Sequence, residues 1–561
     1  MNIFLKKRLF IVTLMIVILS LAAFFILRNE IFVKITDVKM VDGSGNFEIV
    51  RLPLSKESLL PGREYNFTGK INYSRFTPKN VHITPDDCIE NIFINEKAVS
   101  LGEIKGTRCD WNKGFDINLG GYLNYGENNI NIKVKDYGGK LGLSVGNSAF
   151  DPKFMTMLAL IVLFCSPAVY LILKYVLEIK KTRNAIFVLA IIILAIAIRY
   201  YLFDFRSGDY GSFLSRWYEF IRTNGGYKAL SHNFSDYSPP YLYLLTLFSY
   251  LPMGSLYAVK IISVAFDFVA AFFVFKLVDR KYKNETVSVF SFATVLFAPT
   301  VILNGSYWGQ SDIIYSAFLL ASIYFLSKKK DALSFIMYGL SISFKLQAVF
   351  LFPIYIILFL KKKLHFVGFF IIPAIFFLSV IPSVIIGRPW ADAFSIYLFQ
   401  AKNYSSLTLN APTVYQWFLQ GDFLTFSRIG ILFSASAICA FIFLVYKKRG
   451  EVSGDHIIKI SFALLSMVPF FLPRMHERYF FPTDIFSIVY AYYFPRYFFI
   501  PIGMQIISFF SYGPFLFGNS PNFKVLSFGM FVIILIALAD LFLDLYSKNR
   551  DHIKKDVRHP F

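Results

Sequence analysis

Cysteine is scarce, with four in 561 residues. Cys165 and Cys439 fall in apolar runs, where packing is the ordinary role. Cys88 and Cys109 share a polar segment near the N-terminus and can pair if that segment lies outside the cytoplasm. No His/Cys cluster has the spacing of metal ligands, and the polar loops hold no Asp-x-Asp pair of the kind that metal-using oligosaccharyltransferases carry. A metal-free, cofactor-free protein is therefore expected. No GxxxxGK[ST] phosphate loop is present, so nucleotide hydrolysis has no visible engine. Acids are also short, 36 Asp and Glu against 57 Lys and Arg. The resulting charge of +21 is not arranged for nucleic acid, because the basic residues form short clusters between apolar runs, the pattern of cytoplasmic loops.

What is abundant is apolar length. Hydrophobic residues make up 56% of the chain and aromatics 19%, with a mean hydropathy of +0.54, and many runs reach the roughly 20 residues that cross a bilayer. The class is a polytopic α-helical membrane protein. The clusters Lys6–Arg8, Lys174–Arg183, Arg280–Lys283, Lys328–Lys330, Lys361–Lys363, Lys447–Arg449 and the tail 548–561 are assigned to the cytoplasm. Residues 1–29 read as a retained anchor, since no small-residue cleavage site follows the run.

Residues 30–150 differ from all that follows. "EYNFTGKINY", "NIFINEKAV" and "NINIKVKDYGG" alternate apolar and polar residues between Gly, Asn, Pro and Asp, which predicts an extracytoplasmic β-sandwich. Its closing stretch resembles a galactose-binding-like jelly roll; a packing module without a sugar site is the other reading. Residues 151–547 form the membrane part, with spans at about 154–176, 184–203, 256–278, 285–303, 311–327, 366–386, 428–446, 456–472, 482–496, 499–514 and 524–546. The apolar stretch between Lys330 and Lys361 has cytoplasmic charge at both ends, so two short helices meeting near "SFKLQA" are expected. With the anchor the total is about 13–14 transmembrane helices. Polar segments 204–255, 304–310, 387–427 and 472–481 then share the outer side.

The unusual ionisable residues gather on that side, in "FDFRSGDYGSFLSRW", "DYSPPYLYLL", "NGSYWGQSD" and "LPRMHERYFFP". A charge near the bilayer costs about 2.5–3.5 kcal/mol, so their convergence points to a site rather than to isolated snorkelling side chains. In that order these motifs resemble the GT-C superfamily of membrane glycosyltransferases that use polyprenyl-phosphate sugars. Within it they resemble the Gpi18-like mannosyltransferases and the lipid-linked oligosaccharide glucosyltransferases. The resemblance covers about 185–500 and implies a GT-C-like fold.

It implies an inverting transfer of a hexose, mannose by the resemblance, from a polyprenyl-phosphate sugar to a glycolipid or surface-glycan acceptor on the extracytoplasmic face. Asp209 matches the first-loop acid and would take the acceptor's proton, with Asp204 as its rival. Arg474, His476 and Arg478 would hold the leaving phosphate, with Glu477 orienting an Arg or the acceptor. Lys345, at the vertex of the short helix pair, is a natural partner for a lipid phosphate. Arg206, Asp236, Tyr237, Trp308, Gln310 and Asp312 complete a substrate-binding set: Trp308 as a stacking face, Gln310 and Asp312 for hydroxyls. The plainer alternatives are that Asp236 and Asp312 cap helices and that Asp267, at mid-span, makes a structural hydrogen bond or pairs with Lys345. The loop 388–427 reads as an acceptor platform or as a packed surface loop. At the level of function, the competing readings are a lipid-linked sugar flippase or transporter, and a surface-polysaccharide polymerase or ligase.

Overall fold

The computed structural model describes residues 33–148 and 179–546, apart from short stretches at 58–61, 75–76, 101–103, 106–107, 110–112, 139, 252, 403–405, 419–421 and 449–450. The anchor expected at 1–29, the span expected at 154–176 and the basic tail lie outside the described residues. The chain divides into two compact units, residues 1–189 and 190–561.

The first unit contains two antiparallel sheets. Its strands are β1 (Ile35–Asp42), β2 (Phe47–Ile49), β3 (Leu54–Glu57), β4 (Glu64–Tyr73), β5 (Asn80–Pro85), β6 (Cys88–Ile94), β7 (Lys97–Ala98), β8 (Ile104–Lys105), β9 (Phe115–Asn118), β10 (Gly126–Lys135) and β11 (Lys140–Asn147). One sheet runs β2-β1-β4-β10-β6-β7 and the other β3-β11-β5-β9-β8. The period-2 alternation turns Ile130, Ile132 and Val134 of β10 inward, opposite Phe67 of β4 and Ile92 and Ile94 of β6. They share one core with Val81, Ile83, Phe115, Ile117, Leu141 and Leu143 of the other sheet, so the unit is a sandwich. Cys88 and Cys109 form a disulfide.

The second part is a helical membrane bundle: α1 (Thr182–Tyr201), α2 (Ser215–Thr223), α3 (Pro239–Ser249), α4 (Ser255–Tyr282), α5 (Glu285–Leu296), α6 (Asp312–Ser327), α7 (Asp331–Phe344), α8 (Phe352–Leu360), α9 (Ile371–Ile385), α10 (Trp390–Lys402), α11 (Phe423–Lys447), α12 (Gly454–Phe471), α13 (Phe481–Tyr493), α14 (Phe499–Leu516) and α15 (Phe523–Tyr546). Among the described residues seven helical segments are long and apolar enough to cross a membrane. An eighth span is bent by 50° between 285–296 and 299–308. The chain is a multi-pass membrane protein. The spans expected at 311–327 and 482–496 are shorter helices, α6 and α13, both almost entirely buried. The helix pair expected between Lys330 and Lys361 is present as α7 and α8, broken at Lys345.

These breaks show how the site end is built. Interrupted backbone at membrane depth needs a partner for every freed group. At the bend before Pro299, the Leu296 carbonyl accepts from Arg199 Nη2 at 2.9 Å, and the Thr300 N–H donates to Gln505 Oε1 at 2.9 Å. At the Lys345 break, Tyr397 of α10 donates to the carbonyls of Ile342 (2.6 Å) and Ser343 (3.1 Å). At the end of α1, Lys260 Nζ donates to the carbonyls of Leu202, Phe203 and Phe205 at 3.3, 2.7 and 2.6 Å. Arg199 also donates through Nε to Asp267 Oδ2 at 2.7 Å, with both side chains buried. Asp267 therefore pairs with Arg199 and not with Lys345, because α1 and α5 bring an open carbonyl and a guanidinium to the same face of α4. Gly305 lies against this pair, where a Cβ would come within 3.6 Å of the Asp267 carboxylate. At the opposite end of the bundle, Lys281 pairs with Asp455, Lys363 with Glu451 and Lys459 with Asp544.

Arg199→Leu or Asp267→Leu strands one buried charge and is expected to cost about 3 kcal/mol. The double Leu variant removes both charges and is expected to recover most of the loss. Thermal unfolding in detergent checks this, and a double variant no more stable than either single one contradicts it.

Candidate functional site

The segment after α1 reaches the site through Ser207, whose hydroxyl donates to the Trp308 carbonyl at 2.7 Å and accepts from the Tyr210 N–H at 3.2 Å. That clamp sets Asp209 at the head of a wide π-type turn, Tyr210–Leu214. A second π-type turn, Leu303–Trp308, continues the bent span and ends at Gly309, whose φ of +83° suits glycine. Such turns carry one extra residue per turn and re-aim side chains. Here they face each other, and Asp209 Oδ2 accepts from Trp308 Nε1 at 3.0 Å and from Gln310 Nε2 at 2.7 Å. Neither contact uses Oδ1.

Around this centre the structure brings together most of the expected residues. Arg478 Nη1 stands 3.6 Å from Asp209 Oδ2, and its guanidinium lies 5.2 Å over the Trp308 ring. Its Nε is 3.2 Å from Glu477 Oε1, and Glu477 Oε2 is 3.7 Å from His476 Nδ1. Burial works against the Arg478 charge, but the carboxylates of Glu477, Asp312 and Asp209 outweigh it and hold its pKa above the usual guanidinium value. Lys345, freed by the α7 break, pairs with Asp312 Oδ1, while Asp312 Oδ2 accepts from Asn304 Nδ2 at 3.0 Å. The Lys345 ammonium lies 5.6 Å from the centre of the Tyr237 ring, and the Tyr237 hydroxyl reaches Gln310 Oε1 at 3.4 Å. Behind these, Ser306 Oγ, Tyr315 Oη, Tyr512 Oη and Asn304 Oδ1 are buried without a hydrogen-bond partner among the described residues. Groups of this kind require a polar occupant, water or ligand.

Other expected residues are placed elsewhere. Asp204 is exposed and accepts from the Tyr257 hydroxyl of α4 at 2.5 Å. Arg206 exerts its charge on Tyr257 and Lys260, on that same side. Asp236 is exposed, and Ser238 rather than Asp236 stands at the N-cap of α3. Arg474 lies over the Phe423 ring at 5.1 Å, and its backbone N–H bonds to the Leu407 carbonyl at 2.7 Å. Trp308 does not offer an open face for a sugar: it is 1% exposed, packed on Tyr512 and covered by Arg478. Tyr241 is buried in the bundle rather than interfacial, because α3 packs between α2, α4 and α9. The centre of the loop 388–427 is packed, with Thr413, Tyr415 and Gln416 buried, and Thr408–Leu409 pairs in parallel with Met475–His476.

Sequence reasoning missed Lys260, Arg199 and Ser207. The first two carried a signal, a cation inside a long apolar span. Ser207 carried none.

Residues 234–473 match the family model of glycosyltransferase family 87, a membrane family of the GT-C type. No curated protein matches the chain. The matched stretch includes Tyr237, Trp308, Gln310, Asp312 and Lys345 and leaves Asp209 and residues 474–478 on its flanks. It indicates a membrane glycosyltransferase.

Gln310→Leu and Trp308→Phe each remove one donor from Asp209. Each is expected to lower the rate of glycosyl transfer about tenfold, since a hydrogen bond to a charged group contributes about 1.5 kcal/mol or more. Rates equal to wild type in both variants would contradict a working role for this carboxylate cradle.

Proposed function

We propose that the protein transfers a hexose, mannose by resemblance of its motifs, from a polyprenyl-phosphate sugar to a glycolipid or surface-glycan hydroxyl on the extracytoplasmic face. The observation that carries this reading is the single Asp209 carboxylate, held by Trp308 and Gln310 beside the guanidinium of Arg478.

In this reading the acceptor hydroxyl approaches Oδ1 of Asp209, the oxygen not used by Trp308 or Gln310. As its oxygen bonds to the anomeric carbon, its proton passes to Asp209, the bond from that carbon to the phosphate oxygen breaks, and the electron pair leaves on the phosphate. One displacement inverts the anomeric centre. The departing phosphate needs positive charge rather than a proton. Arg478 suits that need because it sits near Asp209 without a hydrogen bond to it, so it can turn to the phosphate. His476, beside Glu477 on the same short segment, is assigned to the donor side, and Arg474, which lies over Phe423, is assigned to the outer part of that side. Lys345 is already neutralised by Asp312, so its role is to fix Asp312, Tyr237 and through it Gln310, with a lipid phosphate as a competing partner. Asp204, Arg206 and Asp236, at the rim, are assigned to the acceptor side.

The disulfide of the sandwich suits an oxidising compartment, and the lysine-rich opposite end suits the cytoplasm. The latter supports an outward-facing site. The sandwich is assigned to acceptor recognition.

Transfer from polyprenyl-phosphate mannose in liposomes tests the reading. Asp209→Asn is expected to lose at least 100-fold in turnover, and Arg478→Gln to lose turnover and donor affinity together. Full activity in Asp209→Asn would overturn the assignment of the base.

A further inference from the structure

Arg388 lies just beyond the end of α9, where Gly387 turns the chain at a φ of +114°. Its backbone N–H donates to the Ser383 carbonyl at 3.0 Å, and Tyr243 of α3 pins the same turn by accepting from Ser383 N–H at 3.1 Å. Arg388 is 1% exposed, and its Nη2 donates to Asn233 Oδ1 at 2.8 Å. Nε and Nη1 are buried without a hydrogen-bond partner among the described residues. None of the ion pairs within 4.0 Å among the described residues includes Arg388. Among the described residues the other fully buried Lys and Arg side chains of the bundle are paired or saturated: Arg199 by Asp267 and two carbonyls, Lys260 by three carbonyls, Lys459 by two aspartates.

Asp392, on the first turn of α10, acts on Arg388 electrostatically, but no ion pair within 4.0 Å joins them, and a buried guanidinium without an anion in contact is costly. We propose that Arg388 is a second anion site, taking the phosphate of a lipid headgroup. The open Nε–H and Nη1–H donors lie on different edges of the planar guanidinium, and each can donate to a phosphate oxygen. The cover over it is thin, since its partner Asn233 and the neighbouring His232 are exposed. The surroundings favour a lipid over free phosphate. Trp390, two residues on and 49% exposed, stacks on Phe377 and Phe394, while Ile385 on the preceding turn is 79% exposed. An apolar face ending in a tryptophan marks the headgroup level. The site stands independently of the transfer reaction, because Arg388 belongs to none of the contacts around Asp209.

Delipidated full-length protein in detergent, titrated with dioleoylphosphatidylglycerol and followed by native mass spectrometry, tests the proposal. Wild type is expected to bind at least one lipid about tenfold more tightly than Arg388→Gln, and dioleoylglycerol, which lacks the phosphate, is expected not to compete. Arg388→Lys keeps the charge but loses the spread of guanidinium donors, and intermediate affinity is expected there even if Arg388→Gln fails to fold. Affinity equal to wild type in Arg388→Lys or Arg388→Gln, or equal binding of dioleoylglycerol, would overturn the site. Displacement of the bound lipid by millimolar inorganic phosphate would overturn its assignment to lipid.

Discussion

The bilayer leaves no water for an interrupted backbone, and this bundle interrupts its helices near one end. The bent span at Pro299, the break at Lys345 and the unwinding after α1 each free carbonyls or N–H groups. Each is met by a long side chain from another helix: Arg199 and Gln505 at the bend, Tyr397 at the break, Lys260 at the end of α1. The consequence is positional. Once these partners are fixed, Trp308 at the end of the bent span, Gln310 and Asp312 just after it, Lys345 at the break and Asp209 on the first loop have little freedom to miss one another. The polar groups that look like liabilities in a hydrophobic sequence are therefore what makes a precise polar centre possible there.

The centre itself is a balance of charge. Asp209, Asp312 and Glu477 face Lys345 and Arg478, and the two cations are not equivalent. Lys345 is committed to Asp312, whereas Arg478 stands between Asp209 and Glu477 and stacks on Trp308. A cation that stands beside a carboxylate without a hydrogen bond to it is suited to an incoming anion.

Much of this architecture was legible in the sequence. Alternation in "NINIKVK" marked β10, apolar length marked the main spans, and charge at both ends of 331–360 required a pair of short helices. The residues of the centre were also legible as types, because Asp, Trp, Gln, Lys and Arg stand out beside lipid-length runs. Pairing was not legible. Asp267 meets Arg199 and Lys345 meets Asp312 because of how three helices cross, and spacing along one chain does not encode crossing. Exposure was not legible for the same reason: α3 is enclosed by neighbours distant in sequence, and Trp308, expected as a stacking face, is covered by Arg478.

The central claim, that Arg478 is the cation which receives the donor phosphate beside Asp209, is tested most directly by a cryo-electron microscopy structure with a non-hydrolysable polyprenyl-phosphonate hexose bound. The account predicts the phosphonate oxygens within hydrogen-bond distance of the Arg478 guanidinium and the anomeric carbon facing Asp209 Oδ1. A phosphonate seated away from Arg478, with Asp209 turned from the sugar, would contradict it.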